Sequence, residues 1–349
     1  MPIVLAFSGG LDTSFCVPYL HETYDTSVHT VTVDTGGLSA ADRAAGADRA
    51  EALGAEAHHL VEGRPQLYAD HLSYLIKGNV LRGGVYPLCV GPERIVQARA
   101  VAEVAQAVGA STVAHGSTGA GNDQVRFDVA LRLMDEDLEI LAPVRSLGLC
   151  REESTAFLKA RGIAVPEETT NYSINRGLWG TTIGGAETLT ATQPLPASAY
   201  PDTVPPTEAP DAPASLLLTF EDGLPVAVDG EALSSVALVE ALNARGAAHG
   251  IGRDIHVGDT ILGIKGRISV EAPAAHILIT AHRELEKVVL SKWQRVHKQQ
   301  LGAVYGRLLH EGQYFDPVMR DLEAFLDHSQ SVVAGTVSVQ LYKGQVQVQ

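Results

Sequence analysis

The sequence predicts an α/β protein, with a parallel doubly wound sheet followed by a second, α+β domain. Three observations carry that prediction. Strand-like and helix-like segments alternate through the first half of the chain. Glycine-rich turns close three of the strands, where ligands gather in open α/β sheets. A Pro/Thr/Ala-rich stretch, Glu187–Ser215, holds seven of the 17 prolines and precedes a region of different pattern. The expected domains are residues 1–168 and 169–349.

In order, strands are expected near Pro2–Phe7, Val28–Asp34, Ala57–Val61, Thr112–His115 and Leu138–Pro143. Helices are expected near Thr13–Glu22, Ala40–Leu53, Arg64–Leu75, Pro92–Val108, Gln124–Met134 and Arg151–Arg161. The 3.6-residue apolar period is clearest in Ile95, Ala98, Ala102, Ala105 and Val108. The proline-rich stretch can be neither a regular helix nor a central strand, so it is read as an extended arm. Beyond it come strands Leu216–Phe220 and Leu224–Val228, helix Ser235–His249, strand Thr260–Ile264 and a long helix His282–Leu309. Helix Asp316–Gln330 and a strand pair, Val332–Leu341 and Gln345–Val348, complete the chain. The apolar face of His282–Leu309 is expected to pack on a partner subunit, making a homo-oligomer.

A net charge of −15 with no Lys/Arg cluster argues against a nucleic-acid partner. No apolar stretch approaches the roughly 20 residues that cross a bilayer, and the N-terminus has no signal-peptide pattern. The three cysteines, Cys16, Cys89 and Cys150, have no C-x-x-C or metal spacing. Reduced thiols and a cytoplasmic location are expected.

Ala6-Phe7-Ser8-Gly9-Gly10-Leu11-Asp12-Thr13-Ser14 ends the first strand and opens the first helix. Such a turn aims backbone N–H groups and a helix N-terminus at an anion. It holds no Lys and is not a Walker loop. S-G-G-x-D-[ST]-S is similar to the pyrophosphate loop of ATP pyrophosphatases (adenine nucleotide α-hydrolase-like folds), which split ATP into AMP and pyrophosphate. A second loop, His115-Gly116-Ser117-Thr118-Gly119-Ala120-Gly121-Asn122-Asp123-Gln124-Val125-Arg126-Phe127, follows another strand. Its glycines permit close backbone approach, and Thr118, Asn122 and Asp123 bring a hydroxyl, an amide and a carboxylate. Arg126, four residues after Asn122, suits a carboxylate clamp.

With these loops, the chain resembles the argininosuccinate synthase family. The resemblance extends to Y-P-L-(x)5-R at Tyr86–Arg94, Ala98-Arg99, A-P-V-R at Ala142–Arg145, R-E-E-S at Arg151–Ser154, Y-S-I at Tyr172 and L-W-G at Leu178. It continues in G-L-P-V-A at Gly223, H-G-I-G-R at His249, G-I-K-G-R at Gly263 and K-G-Q-V at Lys343, nearly the whole chain. The resemblance implies a nucleotide-binding domain and a synthetase and oligomerisation domain. It implies adenylation of the ureido oxygen of citrulline by ATP, with Mg²⁺, and displacement of AMP by the amine of aspartate. By position, Ala6 to Ser14, Val33 and Gly116 would meet ATP. Thr118, Asn122 and Asp123 would hold aspartate. Tyr86, Asn122, Arg126, Ser173 and Thr182 would face the citrulline-type acceptor. Asp12, Asn122 and Asp123 would serve catalysis, with Asp123 orienting the attacking amine. No residue is singled out as a metal ligand.

The departures cluster in the acceptor pocket. Ala120 stands where members usually carry Lys, and Gly91 replaces the pocket Ser. The stretch Ser173–Gly184 loses acidic and amide positions, with Thr182 for the second Ser. The citrulline-contacting Glu falls at about Gly258, and a Tyr falls at Val270. Each lost charge-assisted hydrogen bond is worth roughly 1.5–3 kcal/mol, so two would weaken citrulline binding by about 10²–10⁴-fold. An altered acceptor, still joined to aspartate, is therefore expected; a synthase acting on citrulline in arginine biosynthesis, or a catalytically silent ATP-binding protein, stays open. Members usually run past K-G-Q-V into a helical tail, whereas this sequence stops at Gln349, which leaves dimer and tetramer both in view.

Overall fold

The computed structural model describes residues 1–119, 121–165 and 172–349, and the chain packs as two units. One comprises residues 1–63 and 93–169, the other 64–92 and 170–349. The segment 64–92 was expected with the first domain. It packs instead with the C-terminal half, because Leu67, Leu72, Leu75 and Ile76 bury their side chains there.

In the first unit, β1 (Ile3–Ala6), β2 (Val28–Asp34), β3 (Ala57–Glu62), β4 (Thr112–His115) and β5 (Glu139–Leu141) form one parallel sheet. Its strand order is β3-β2-β1-β4-β5. The order reverses between β1 and β4, so the ligand crevice of such a sheet lies beyond their carboxyl ends. β1 reads Ile-Val-Leu-Ala with almost no exposure, as a strand covered on both faces must. Helix Leu11–Tyr24 packs Phe15, Cys16, Val17 and Leu20 onto this core. The last strand is shorter than the expected Leu138–Pro143, since Pro143 starts the helix Pro143–Leu147.

The second unit carries two antiparallel sheets. β6 (Tyr172–Gly177), β7 (Gly180–Gly185), β11 (Arg253–Asp259) and β12 (Lys265–Glu271) form a four-stranded sheet ordered β11-β12-β7-β6. β8 (Ala214–Glu221), β9 (Leu224–Val228), β10 (Glu231–Ala232), β13 (Gly335–Tyr342) and β14 (Gln345–Val348) form the other, ordered β10-β9-β8-β13-β14. The expected strand Thr260–Ile264 is the turn joining β11 to β12, closed by the Thr260 N–H on the Ile264 carbonyl (2.8 Å). Strands β6, β7, β11 and β12 escaped sequence reading because glycines and polar residues interrupt their alternation.

The expected helix His282–Leu309 is two helices, Pro273–Val289 and Lys292–His310. A capping box breaks it: Ser291 Oγ accepts the Gln294 N–H, and Gln294 returns to the Ser291 N–H. The expected helix Arg64–Leu75 runs as Arg64–Leu67, a π-turn Tyr68–Leu72 and Ser73–Lys77. Among the described residues no helix is long and apolar enough to cross a membrane.

Candidate active site

β1 delivers the chain into the first glycine turn. Gly9 adopts φ +73°, and Gly10 caps the Leu11–Tyr24 helix without a side-chain hydrogen bond. The first N–H groups of that helix are thus left to a ligand. The turn is held from within. Thr13 Oγ1 accepts the Ser8 N–H (3.3 Å) and donates to the Gly10 carbonyl (3.3 Å), while Ser14 Oγ donates to the Gly9 carbonyl (3.3 Å). Apart from its chain neighbours, no heavy atom of the described residues lies within 4 Å of where a Gly9 Cβ would stand. Asp12 sits in the first turn; burial raises its carboxyl pKa, against the pull of Arg151.

The second loop meets the first at Gly116. A Cβ there would fall 3.0 Å from Thr13 Cγ2 and 3.2 Å from the Thr13 nitrogen, which only glycine tolerates comfortably. Behind the loop, His115 Nε2 donates to Asp128 (2.9 Å), Arg145 donates to the other Asp128 oxygen (2.9 Å), and His115 Nδ1 accepts the Ser117 N–H (3.2 Å). This chain of polar contacts fixes the loop's root. Val33 is buried at the end of β2, next to Asp34, which pairs with Arg43 (2.8 Å) and accepts the Gly36 N–H (2.8 Å). Three strand ends therefore carry rigid turns.

Asn122 and Asp123 open the Asp123–Met134 helix, and Thr118 is exposed ahead of them. Asp123 bridges two guanidiniums: Arg94 Nε donates to Oδ2 and Arg126 Nη1 to Oδ1, each at 2.9 Å. Burial pushes its pKa up, but the two guanidiniums outweigh this and hold the carboxyl below the usual aspartate range. Asp123 is thus held ionised as the charge partner of Arg94 and Arg126. Ala120 lies outside the described residues.

Glu93 is the residue sequence reading missed here. It is 2% exposed, Oε1 has no hydrogen-bond partner among the described residues, and Arg94 lies 3.8 Å from Oε2. Burial raises its pKa from the ordinary 4.5 to about 8, Arg94 opposing and Asp123 assisting. Between those values the folded chain keeps a proton that the unfolded chain has released, so stability falls as pH rises from 4.5 to 8. Glu93→Gln is expected to remove this fall and to stabilise the protein by on the order of 2 kcal/mol at pH 8. Urea unfolding of both proteins at pH 5 and pH 8 checks it; equal pH dependence would refute the assignment.

The other acceptor candidates lie in the second unit. Tyr86 is 3% exposed, and its oxygen accepts the Val90 N–H (3.5 Å). Its loop is pinned by Trp179, whose Nε1 donates to the Pro87 carbonyl (3.0 Å). The L-W-G motif is therefore an anchor for Tyr86. Pairing of β6 with β7 places Ser173 opposite Gly184 and Asn175 opposite Thr182, so Ser173 and Thr182 share one sheet face. The Tyr86 ring packs on His256 of β11 (centroids 5.4 Å apart), a contact without any local sequence signal.

Compared with known proteins, residues 2–164 match the model for the arginosuccinate synthase N-terminal HUP domain, and residues 172–349 that for the arginosuccinate synthase C-terminal domain. The chain is 38% identical to an argininosuccinate synthase of Methanococcus maripaludis, over 99% of this chain and 87% of that protein. It is 40% identical to the argininosuccinate synthase of Dehalococcoides mccartyi, over 99% and 85%. With that of Pyrobaculum aerophilum the identity is 40%, over 99% and 87%.

Proposed function

Because this chain belongs to the argininosuccinate synthase family, and so is an ATP-dependent ligase, we propose that it joins the amine of L-aspartate to the ureido carbon of a citrulline-like acceptor. The ureido oxygen attacks the α-phosphorus of ATP, and the bond to the β-phosphate oxygen breaks, releasing pyrophosphate. The aspartate amine, its ammonium proton lost to solvent, then attacks the ureido carbon, and AMP leaves with the oxygen. An amide-like oxygen is a poor leaving group, and adenylation makes it a good one. The residues contribute positioning and charge stabilisation.

The observation that carries this reading is the uncapped helix N-terminus behind Gly9 and Gly10, ringed by the Ser8 and Thr13 hydroxyls and closed on one side by Gly116. It suits a polyphosphate. Thr118, Asn122 and Asp123 hold aspartate. Tyr86, Ser173 and Thr182, with Asn122 and Arg126, address the acceptor. An Mg²⁺ ion would arrive with the nucleotide and meet the first turn of the Leu11–Tyr24 helix, where Asp12 lies. Asp12 would be its carboxylate, and the ion would screen the phosphate charge. Glycine at 91 and 258 and valine at 270 favour an acceptor related to citrulline over citrulline itself.

Nucleotide handling is assigned to residues 1–63 and 93–169, and synthesis and oligomerisation to 64–92 and 170–349, the two packed units. Exposed Trp293, Val296 and Val304 on the Lys292–His310 helix support a homo-oligomer, and the thiols of Cys16, Cys89 and Cys150, in no disulfide among the described residues, support a cytoplasmic setting.

The test supplies ATP, labelled aspartate and a panel of ureido acids that includes citrulline, reading pyrophosphate and product mass. The expected result is release that needs both aspartate and a ureido acid, with a condensed product of the summed mass less water. ATP binding without release under any acceptor would refute the ligase and favour a silent ATP-binding protein.

A further inference from the structure

His256 lies on β11 and is 8% exposed, yet its buried Nε2 has no hydrogen-bond partner among the described residues. Two glycines make room for the ring. A Cβ on Gly258 would stand 2.4 Å from Nε2, and one on Gly83, at φ +62°, would stand 3.0 Å from Nδ1 and Cε1. The strand register settles which residues share its face. Asp254 lies opposite Val270, which lies opposite Thr182, itself opposite Asn175. His256 lies opposite Ile268 and Gly258 opposite Gly266, two and four residues along the same face. Ser173 belongs to this face too, two residues from Asn175. His256 thus stands on the face that carries Thr182 and Ser173, with Tyr86 packed against its ring.

That face is poor in negative charge. Its one carboxylate among these rungs is Asp254, whose Oδ1 accepts the Ile255 N–H (2.7 Å). Burial and the Arg82 guanidinium hold the imidazole below the usual histidine range, against the smaller pull of Asp254. The imidazole, held below the usual histidine range, is neutral at pH 7 and offers no countercharge to a cationic group. Such a site disfavours an ammonium group. A buried polar atom without a partner costs about 1–3 kcal/mol, a cost that a ligand able to hydrogen-bond it removes.

We propose that His256 is a specificity-determining residue for the acceptor: its Nε2 hydrogen-bonds an uncharged group of a ureido carboxylic acid that has no α-ammonium. The proposal rests on the reading of Tyr86, Ser173 and Thr182 as acceptor-binding residues. Nε2 can donate or accept one hydrogen bond, so a hydroxyl or a carbonyl on the acceptor satisfies it equally.

The experiment measures aspartate-dependent pyrophosphate release with citrulline, 5-ureidopentanoate and 2-hydroxy-5-ureidopentanoate, for the wild type, His256→Ala and His256→Gln. Wild type is expected to favour the hydroxy acid over citrulline by about 10–100-fold in kcat/KM. His256→Ala should raise the KM for the hydroxy acid by about tenfold while kcat and the KM for ATP stay within about threefold. His256→Gln, which keeps a hydrogen-bonding group and guards against a misfolded alanine variant, should recover part of the loss. A wild-type preference for citrulline, or ratios unmoved in both variants, overturns the role of His256 and leaves the ligase standing. Release with none of the three ureido acids overturns both.

Discussion

Asp123→Asn is expected to lower aspartate-dependent pyrophosphate release by about 10²-fold while changing ATP affinity by less than about threefold. The carboxylate is one-third exposed and receives hydrogen bonds from Arg94 and Arg126, each 2.9 Å long. Asparagine has nearly the same shape but can offer only one oxygen, and its amide hydrogens would face a guanidinium. Two charge-assisted hydrogen bonds are lost or reversed, each worth roughly 1.5–3 kcal/mol when dry and less at this exposure. The loosened guanidiniums would then misplace the aspartate and acceptor groups they steer, and a small misplacement is costly in a reaction governed by positioning. The first glycine turn does not share these contacts: Ser8, Gly10 and Thr13 hold one another, and Ser14 holds Gly9. Steady-state kinetics with varied aspartate, beside titration with a fluorescent ATP analogue, read the two effects separately. Turnover equal to wild type would remove Asp123 from the machinery. An acidic limb in the pH profile, above the ordinary aspartate range, that vanishes in the variant would make it a proton acceptor, contrary to its lowered pKa.

Lys298→Met is expected to destabilise the protein by about 3–5 kcal/mol. Lys298 is 2% exposed, and its Nζ lies 2.7 Å from Glu286 Oε1. It also donates to the Lys77 carbonyl. Glu286 in turn accepts Asn79 Nδ2 and Gln330 Nε2, both at 2.6 Å. Methionine fills most of the volume but leaves Glu286 buried with amide partners only, an uncompensated charge. Burial lowers the Lys298 pKa from 10.5 to about 8, with Glu286 opposing. From pH 8 to 10.5 the unfolded chain binds the proton that the folded chain has lost, so wild-type stability gains from this group as pH rises. The variant should lose that gain, and Lys298→Met with Glu286→Gln should recover part of the deficit. Urea unfolding at pH 7 and pH 9.5 gives both numbers. A deficit under about 1 kcal/mol at pH 7 would contradict the argument. The network also bears on the site, because Asn79, at φ +50°, opens the loop that leads to Tyr86.

The candidate site was legible where chemistry is local. Ala6–Ser14 and His115–Phe127 each need a fixed order of glycine, hydroxyl and acid within a dozen residues, and the chain wrote both in plain sight. Long-range partners left no such trace. Arg94 reaches Asp123 across 29 positions, and nothing near Glu93 announces that it is buried. The break at Ser291 was hidden because apolar periodicity runs through it, although its capping box is readable once sought.

What the sequence by itself determined was the parallel sheet, the phosphate turn and the family, since strand–turn–helix junctions obey nearest-neighbour sterics and hydrogen bonding. What only the tertiary structure decided was the face proposed for the acceptor: four strands with weak alternation, brought into register so that Ser173, Thr182 and His256 share one side with Tyr86 against it. Pairing between strands far apart in the chain is set by burial and register, which no short window of sequence encodes.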